Sequence, residues 1–395
     1  MRALRAALLA AMASLGFGMA QSGQPSQNYE KNYSAAKVLR SQGRFLEAEW
    51  SMRAALSEAE NSGALAEQLP AALFQLAEIY RVEGKYAEAE PLLQRSLNLR
   101  ESAQGRDNME LLPTMESLIK IGQALRKYPD TEKLLARAIG IRETHQGPDH
   151  ADVATEYTNL GRIMVAQKKF TAAEPLYRRT LEILEKNYGP DDLKLCPALD
   201  ALAGLYRETQ NFEHAEPLLK RSLWIRDNVV GPVHQDVAQS LDALGSLYYA
   251  TQRYPEAEAL YRRSLAIWTQ LLGADHPLIA TSLDNLAVVL ALQQKYAEAE
   301  SLYKRSLGIR DGEDAGSLHN LALVQVALDK SKEAELLYKR LLTIVDSPEG
   351  AKALSLQAVL KEYAEVLRKL NRTAQARTVE ARAKALQQAR TTGQL

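Results

Sequence analysis

Three histidines, His150, His234 and His276, invite a reading as metal ligands. A zinc-like ion needs three or four N, S or O donors around one centre. These three occupy the same loop position of a recurring sequence, in Gly147-Pro148-Asp149-His150, Gly231-Pro232-Val233-His234 and Gly273-Ala274-Asp275-His276. They therefore belong to separate structural units, too far apart to share an ion, and read as turn residues. His145 flanks the first of these loops and supplies at most a pair with His150. Ser117-Leu118-Ile119-Lys120 has the Ser-x-x-Lys spacing of a nucleophile and its base, but no companion motif accompanies it. The single Cys196 stands before Pro197 and reads as a small, half-buried apolar residue. No Gly-rich phosphate loop, paired CxxC or acidic metal box is present. The chemistry-bearing residues thus point to no enzyme, no metal and no cofactor.

The chain has 395 residues, 46% of them hydrophobic, which excludes a globally disordered polymer. Lys plus Arg and Asp plus Glu number 49 each. A neutral balance argues against a nucleic-acid partner, which favours a basic surface to neutralise phosphates. It argues equally against electrostatic docking on an anionic membrane.

The first 20 residues read as a signal peptide. Arg2 and Arg5 give a positive start, and Ala6 to Ala20 is apolar and small. Gly18 and Ala20 suit a signal-peptidase pocket, with Gln21 opening the mature chain. The apolar run is too short to span a ~30 Å hydrocarbon core comfortably. The expected location is periplasmic or extracellular, with no transmembrane segment after processing. Lone-cysteine usage fits an oxidising compartment, where unpaired thiols are a liability.

What must position the remaining residues is a repeat. KYAEAEPLLQRSLNLR from Lys85 returns as KKFTAAEPLYRRTLEIL, QNFEHAEPLLKRSLWIR, QRYPEAEALYRRSLAIW and QKYAEAESLYKRSLGIR. The aromatic opening each phrase (Tyr86, Tyr128, Phe170, Phe212, Tyr254, Tyr296) advances by 42 residues every time. Each unit reads as two amphipathic helices. In one, Leu241, Leu244, Gly245 and Tyr248 form the first stripe, and Ala257, Leu260, Tyr261, Ser264 and Leu265 the second. About nine such hairpins are predicted, the first around Phe45, the eighth around Ser331 and the ninth around Thr373. A step of this size means a solenoid. The array spans 29–388, between an unstructured linker at 21–28 and a disordered tail at 389–395. It is shortened at 311–331, the missing residues being assigned to the end of a second helix and its loop.

Two positions are small wherever helices cross closely. Nine before the aromatic stand Ala77, Gly161, Ala203, Gly245 and Ala287; three after it stand Ala89, Ala173, Ala215, Ala257 and Ala299. The third unit has Ile119 and Thr131 there, which predicts looser packing or a shifted register. Glu174–Arg178, Glu216–Lys220, Glu258–Arg262, Glu300–Lys304 and Glu335–Lys339 are spaced for local pairs on a solvated helix face. The ninth unit carries polar Gln375, Arg377, Glu380, Arg382 and Lys384, as a terminal cap should.

These residues resemble the tetratricopeptide repeat, with its small–small pairing, Leu-Gly or Leu-Ala in the first helix and Ala plus aromatic in the second. The 42-residue step and the Gly273-Ala274-Asp275-His276-Pro277 loop resemble the kinesin light chain subtype. The resemblance implies an all-α fold, a right-handed α-solenoid whose concave wall is built from first helices and binds peptides or protein segments.

That wall is expected twelve, eight and five residues before each aromatic. It carries Glu78, Arg81, Lys120, Arg162 and Arg207 towards the N-terminus and Asp200, Asp242 and Asp284 in the middle. Asn159 and Asn285 stand eleven before their aromatics, where the resembled subtype often has Asn. The basic residues read as a ladder for an acidic segment, the aspartates and the apolar end as a seat for the rest of an extended chain. The expected function is a non-enzymatic scaffold binding protein or peptide segments, monomeric or weakly self-associating. A small-ligand or glycan-binding protein using the same groove is the alternative, and an aromatic-lined pocket would favour it.

Overall fold

The computed structural model describes residues 25–346 and 355–391; residues 1–24, on which the expected signal peptide falls, 347–354 and 392–395 lie outside them. The described residues form helices arranged as nine antiparallel hairpins. The first four are α1 (Pro25–Ser41) with α2 (Phe45–Asn61), α3 (Leu69–Val82) with α4 (Tyr86–Gln104), α5 (Leu112–Ala124) with α6 (Tyr128–Gln146), and α7 (Ala151–Ala166) with α8 (Phe170–Tyr188). The fifth to seventh are α9 (Cys196–Glu208) with α10 (Phe212–Val229), α11 (Gln235–Ala250) with α12 (Tyr254–Leu272), and α13 (Pro277–Leu292) with α14 (Tyr296–Ile309). The last two are α15 (Ala315–Ala327) with α16 (Ser331–Val345), and α17 (Leu356–Lys369) with α18 (Thr373–Thr391). The chain divides into two compact units, Met1–Asn187 and Tyr188–Leu395.

One turn closes all nine hairpins. The residue two before the opening position of the second helix has a left-handed backbone, from Gly43 and Gly84 through Arg126, Lys168, Gln210, Gln252, Gln294 and Asp329 to Asn371. The next N–H then donates to the carbonyl five residues back, as Lys85 N does to Tyr80 O at 2.8 Å and Arg253 N to Tyr248 O at 2.8 Å. This satisfies carbonyls that a helix end would otherwise leave open. Gly105, Gly147, Gly189, Gly231 and Gly273 stop their second helices at φ between 85° and 91°, where any side chain is strained.

In the first unit a continuous core runs from Tyr29 through Met52, Leu73, Leu93 and Met115 to Ile141. The crossing alanines Ala36, Ala48, Ala77 and Ala89 are fully buried. At Gly161 a methyl group would stand 2.5 Å from the Tyr177 ring, so the small residue there makes room for a large one opposite. The third hairpin departs from this pattern. Large Ile119 faces Leu135 where its neighbours pair small with larger, and both are buried. Thr131 fits because Gly122 opposite has no side chain; a methyl there would stand 2.2 Å from Thr131 Oγ1. The turn register is unchanged, with Lys127 N donating to Gly122 O at 2.8 Å. The expectation of a shifted register is therefore not met, while the two helices touch less extensively than those of the first and second hairpins, in line with the looser packing expected. Gly122 opposite Thr131 is the exchange of size that lets the threonine fit.

In the second unit the same crossings recur at Ala203, Ala215, Ala257, Ala287, Ala299, Ala322, Ala334, Ala364 and Ala376, all fully buried. The shortened step has a different origin from the one expected. α14 has 14 residues against 19 in α12, and α15 has 13 against 16 in α13. Both flanking helices lose length, while the loop between them gains a residue. That loop turns through Asp311 and Gly312 at positive φ, and the Asp314 carboxylate caps α15 through Ser317 N at 2.7 Å. Gln375, Arg377, Arg382 and Lys384 on α18 are exposed. At the two ends the helices reach further than expected: residues 25–28 begin α1 and residues 389–391 complete α18, so neither stretch is unstructured.

The crossing of Gly122 with Thr131 gives a direct test. Gly122→Ala should destabilise the protein by about 1–3 kcal/mol through overpacking. Adding Thr131→Ala should recover most of the loss, and urea unfolding of the two variants measures this. No recovery would show that Gly122 and Thr131 do not meet.

Candidate partner-binding face

The first-helix positions expected to meet a partner fall into two groups once their surroundings are seen. The acidic ones are largely engaged within the protein. Position twelve before the aromatic faces the residue 26 further along, in the second helix of the same hairpin. In the first unit Glu116 accepts from Arg142 at 2.6 Å. In the second unit Asp200 accepts from Arg226 at 2.6 Å, Asp242 from Trp268 Nε1 at 3.1 Å and Asp284 from Arg310 at 2.5 Å. Asp200, Asp242 and Asp284 of the expected aspartate ladder thus each tie together the two helices of their own hairpin, while Asp242 Oδ1 and Asp284 Oδ1 keep no hydrogen-bond partner among the described residues. Burial pushes the Asp242 carboxyl up, against hydrogen bonds from Ser264 and Trp268. Burial does the same to Asp284, against Ser306, Ser317 and Arg310.

The basic positions divide. Arg81 forms a two-pronged pair with Glu78, 2.9 Å on each prong, so these two expected site residues neutralise each other. Burial pushes the Glu78 carboxyl up, but hydrogen bonds from Arg81 and Ser117 outweigh it and hold the group low. Arg207, in the second unit, donates to Ser246 Oγ at 3.0 Å and has no carboxylate partner among the described residues. Lys120 and Arg162, in the first unit, are exposed and form no ion pair among the described residues. Asn159 is half-buried beside Glu156, and Asn285 is exposed. Phe74, in the first unit, packs against the core, while Tyr249, in the second, is 42% exposed.

The chemistry-bearing residues have structural occupations. His150, His234 and His276 each cap a first helix, Nδ1 accepting from the N–H two residues on at 3.2, 3.1 and 3.2 Å. His145 Nδ1 lies 2.8 Å from Ile141 O of its own helix. Ser117 is buried beside Glu78, whereas Lys120 is exposed, so the Ser-x-x-Lys spacing assembles no nucleophile. Cys196 is buried, donates to Ser222 O at 3.7 Å, and burial pushes its thiol up. Among the described residues no helix is long and apolar enough to cross a membrane.

The glutamates of the second helices were read as local partners on a solvated face, and their role is larger. The local pairs form, as in Glu258–Arg262 at 2.9 Å and Glu300–Lys304 at 2.8 Å. The same carboxylates also accept from the basic residue in the next hairpin's turn. In the first unit Lys85 reaches Glu49 at 2.9 Å, and Lys127 reaches Glu90 at 2.6 Å. In the second, Arg253 reaches Glu216 at 2.8 Å, Lys295 reaches Glu258 at 2.7 Å and Lys330 reaches Glu300 at 2.5 Å. The Glu258 and Glu300 side chains are only 13% and 9% exposed. A basic residue one before the aromatic, present at Tyr86, Tyr128, Phe170, Tyr254 and Tyr296 but not at Phe212, where Asn211 stands, was the sequence signal for these links.

Successive helical hairpins, all closed by one turn and linked within each unit by a recurring ion pair, define an α-helical repeat protein. Two family profiles described as tetratricopeptide repeat match it, one over residues 114–186, 157–228 and 236–312, the other over 72–107 and 317–352. The chain belongs to the tetratricopeptide repeat family, whose members generally serve as interaction scaffolds. The apo form of RapI aligns with 91% of this chain and 97% of its own, at 15% identity and a TM-score of 0.58. BtubC (BKLC) from P. vanneervenii aligns with 58% of this chain and 91% of its own, at 21% identity and a TM-score of 0.50. A putative kinesin light chain from Podosopora anserina aligns with 50% of this chain and 94% of its own, at 21% identity and a TM-score of 0.46. At these identities the likeness is one of fold. No curated protein matches the chain significantly.

The inter-hairpin links carry a pH signature. Burial pushes the Glu258 and Glu300 carboxyls up, yet hydrogen bonds from Lys295, Arg262 and Gln293, and from Lys304 and Lys330, hold them at about 2. Their ordinary value is 4.5, so the stability they contribute is present above it and is lost as pH falls through about 2. Thermal melts should show Tm falling across that window. Glu258→Gln with Glu300→Gln should lower Tm at neutral pH and flatten the acid limb. An unchanged acid limb would contradict this assignment.

Proposed function

We propose that the protein is exported and works without catalysis, capturing an acidic segment of an envelope or secreted protein on the exposed face of its first helices. Membership of a family of interaction scaffolds supports the general class. The observation that carries the specific reading is a pair of register-equivalent charges, both eight before their aromatics, that stay uncompensated. Arg81 is neutralised by Glu78, while Lys120 and Arg162 occupy the same position of successive first helices, exposed and without an ion pair among the described residues. Charged side chains left uncompensated at a repeated position suit charge-assisted hydrogen bonds to carboxylates. Export rests on the signal-like N-terminus read from the sequence.

Lys120→Glu with Arg162→Glu should reduce retention of the acidic partner from an envelope extract at least about tenfold, with binding weakening as salt rises. The same retained proteins in wild type and variant, identified by mass spectrometry, would overturn the reading. Separately, N-terminal sequencing of the protein recovered from its native host should begin at Gln21; recovery of the unprocessed N-terminus would overturn export by cleavage.

A further inference from the structure

A half-enclosed cavity of about 250 Å³ opens between α5, α6 and α7 of the first unit, lined by Glu116, Lys120, Arg142, Asp152, Glu156 and Asn159 among others. Its floor has an unusual charge count. The Arg142 guanidinium meets three carboxylates, Glu116 at 2.6 Å, Asp152 at 3.0 Å and Glu156 at 3.3 Å. The corresponding arginines of the second unit close their nodes differently. Arg226 meets Asp200 with the hydroxyls of Ser222 and Ser240, and Arg310 meets Asp284 and, more distantly, Asp314, with the hydroxyls of Ser317 and Thr281. Where Arg226 finds Ser240, fourteen residues on, Arg142 finds Glu156.

The three carboxylates are not equivalent. Glu116 and Asp152 are 35% and 50% exposed, so water serves their remaining acceptors, and Gln146 also donates to Asp152 at 3.1 Å. Glu156 is 2% exposed. Its Oε1 takes the Arg142 bond, while Oε2 is buried with no hydrogen bond within 3.5 Å among the described residues, the Asn159 amide beside it being the nearest source of one. Buried acceptors are nearly always satisfied, so an orphan lining a cavity points to a donor that arrives from outside. Lys120 at the rim does not fill the role, since it is exposed and makes no ion pair among the described residues.

We propose that this cavity receives one ammonium or guanidinium group from a bound protein, supplied by a Lys or Arg side chain or by a free N-terminus, which donates to Glu156 Oε2. The volume falls below the roughly 300–1,000 Å³ of small-molecule sites and suits a single side chain. The excess of carboxylates over cations on the floor supplies the counter-charge. The inference deepens the segment-capture reading and rests on it for the source of the group. A segment carrying an acidic residue beside a basic one would then meet Lys120 and the cavity together.

The test uses small probes and the full-length protein. Calorimetric titration with Nα-acetyl-lysine methylamide should show binding, and the neutral norleucine analogue should show none. Alanyl-alanine amide separates the sources: binding by this probe assigns the site to a free N-terminus, binding by the lysine probe to a side chain. Glu156→Gln should weaken the bound probe at least about tenfold, and Lys120→Met, which removes a like charge from the rim, should tighten it by about threefold. If Glu156→Gln perturbs folding by circular dichroism, Lys120→Met on its exposed position decides. Binding of norleucine as tightly as lysine, no binding by either amine, or affinity unmoved by both substitutions would overturn the proposal. Arg162→Glu should leave amine binding intact while lowering capture of the acidic segment, which keeps the two readings separable.

Discussion

The close crossing of two helices within each hairpin is the constraint from which the rest of the structure follows. Neither helix buries its apolar stripe alone, and the stripes meet only where one partner is small enough to admit the other. Gly161 beneath Tyr177 shows the rule, and Gly122 beneath Thr131 shows that size can be exchanged between partners without moving the backbone. Interiors are packed densely enough that such swaps must compensate locally. Because the crossing fixes the turn, the residue before each second helix always points its backbone and side chain the same way. That regularity lets a basic residue at this position reach a glutamate of the preceding hairpin, repeatedly and in one geometry.

The crossing also sorts the charges. An acidic residue twelve before the aromatic is brought opposite the residue 26 further along in the same hairpin, and where that residue is arginine the pair becomes part of the frame. Asp200 and Asp284 are used in this way, and Asp242 is held by the Trp268 indole. A charge five or eight before the aromatic has no such obligatory neighbour. Arg81 happens to find Glu78 three residues away, whereas Lys120 and Arg162 find no carboxylate among the described residues. The proposed binding face is therefore smaller than a count of exposed-looking charges implies, with Lys120 and Arg162 at its centre.

The fold was largely legible in the sequence because periodic small residues and periodic aromatics each report a single packing event. The hairpins, their boundaries near Phe45 and Thr373, and the structural roles of the loop histidines could all be read from spacing. The candidate site was legible only in part. Helical periodicity says which side of a first helix a residue occupies, but not that the second helix presents an arginine to it; the 26-residue spacing was visible and went unused. The third hairpin keeps its turn register because Gly122 and Thr131 fit jointly, a relation that comparing each position with its equivalents in other repeats does not reveal. Glu156 was not singled out at all, since an orphaned carboxylate oxygen has no signature in one dimension.

Charges at the crossing hold the frame and leave partner binding to charges elsewhere. A double-mutant cycle on Asp284→Asn and Arg310→Met, followed by unfolding, tests this most directly. A coupling of about 1–3 kcal/mol between the two sites is expected, with capture of the partner unchanged in every variant that folds. Additive effects on stability together with loss of partner capture would contradict it, and would return Asp284 to the binding face.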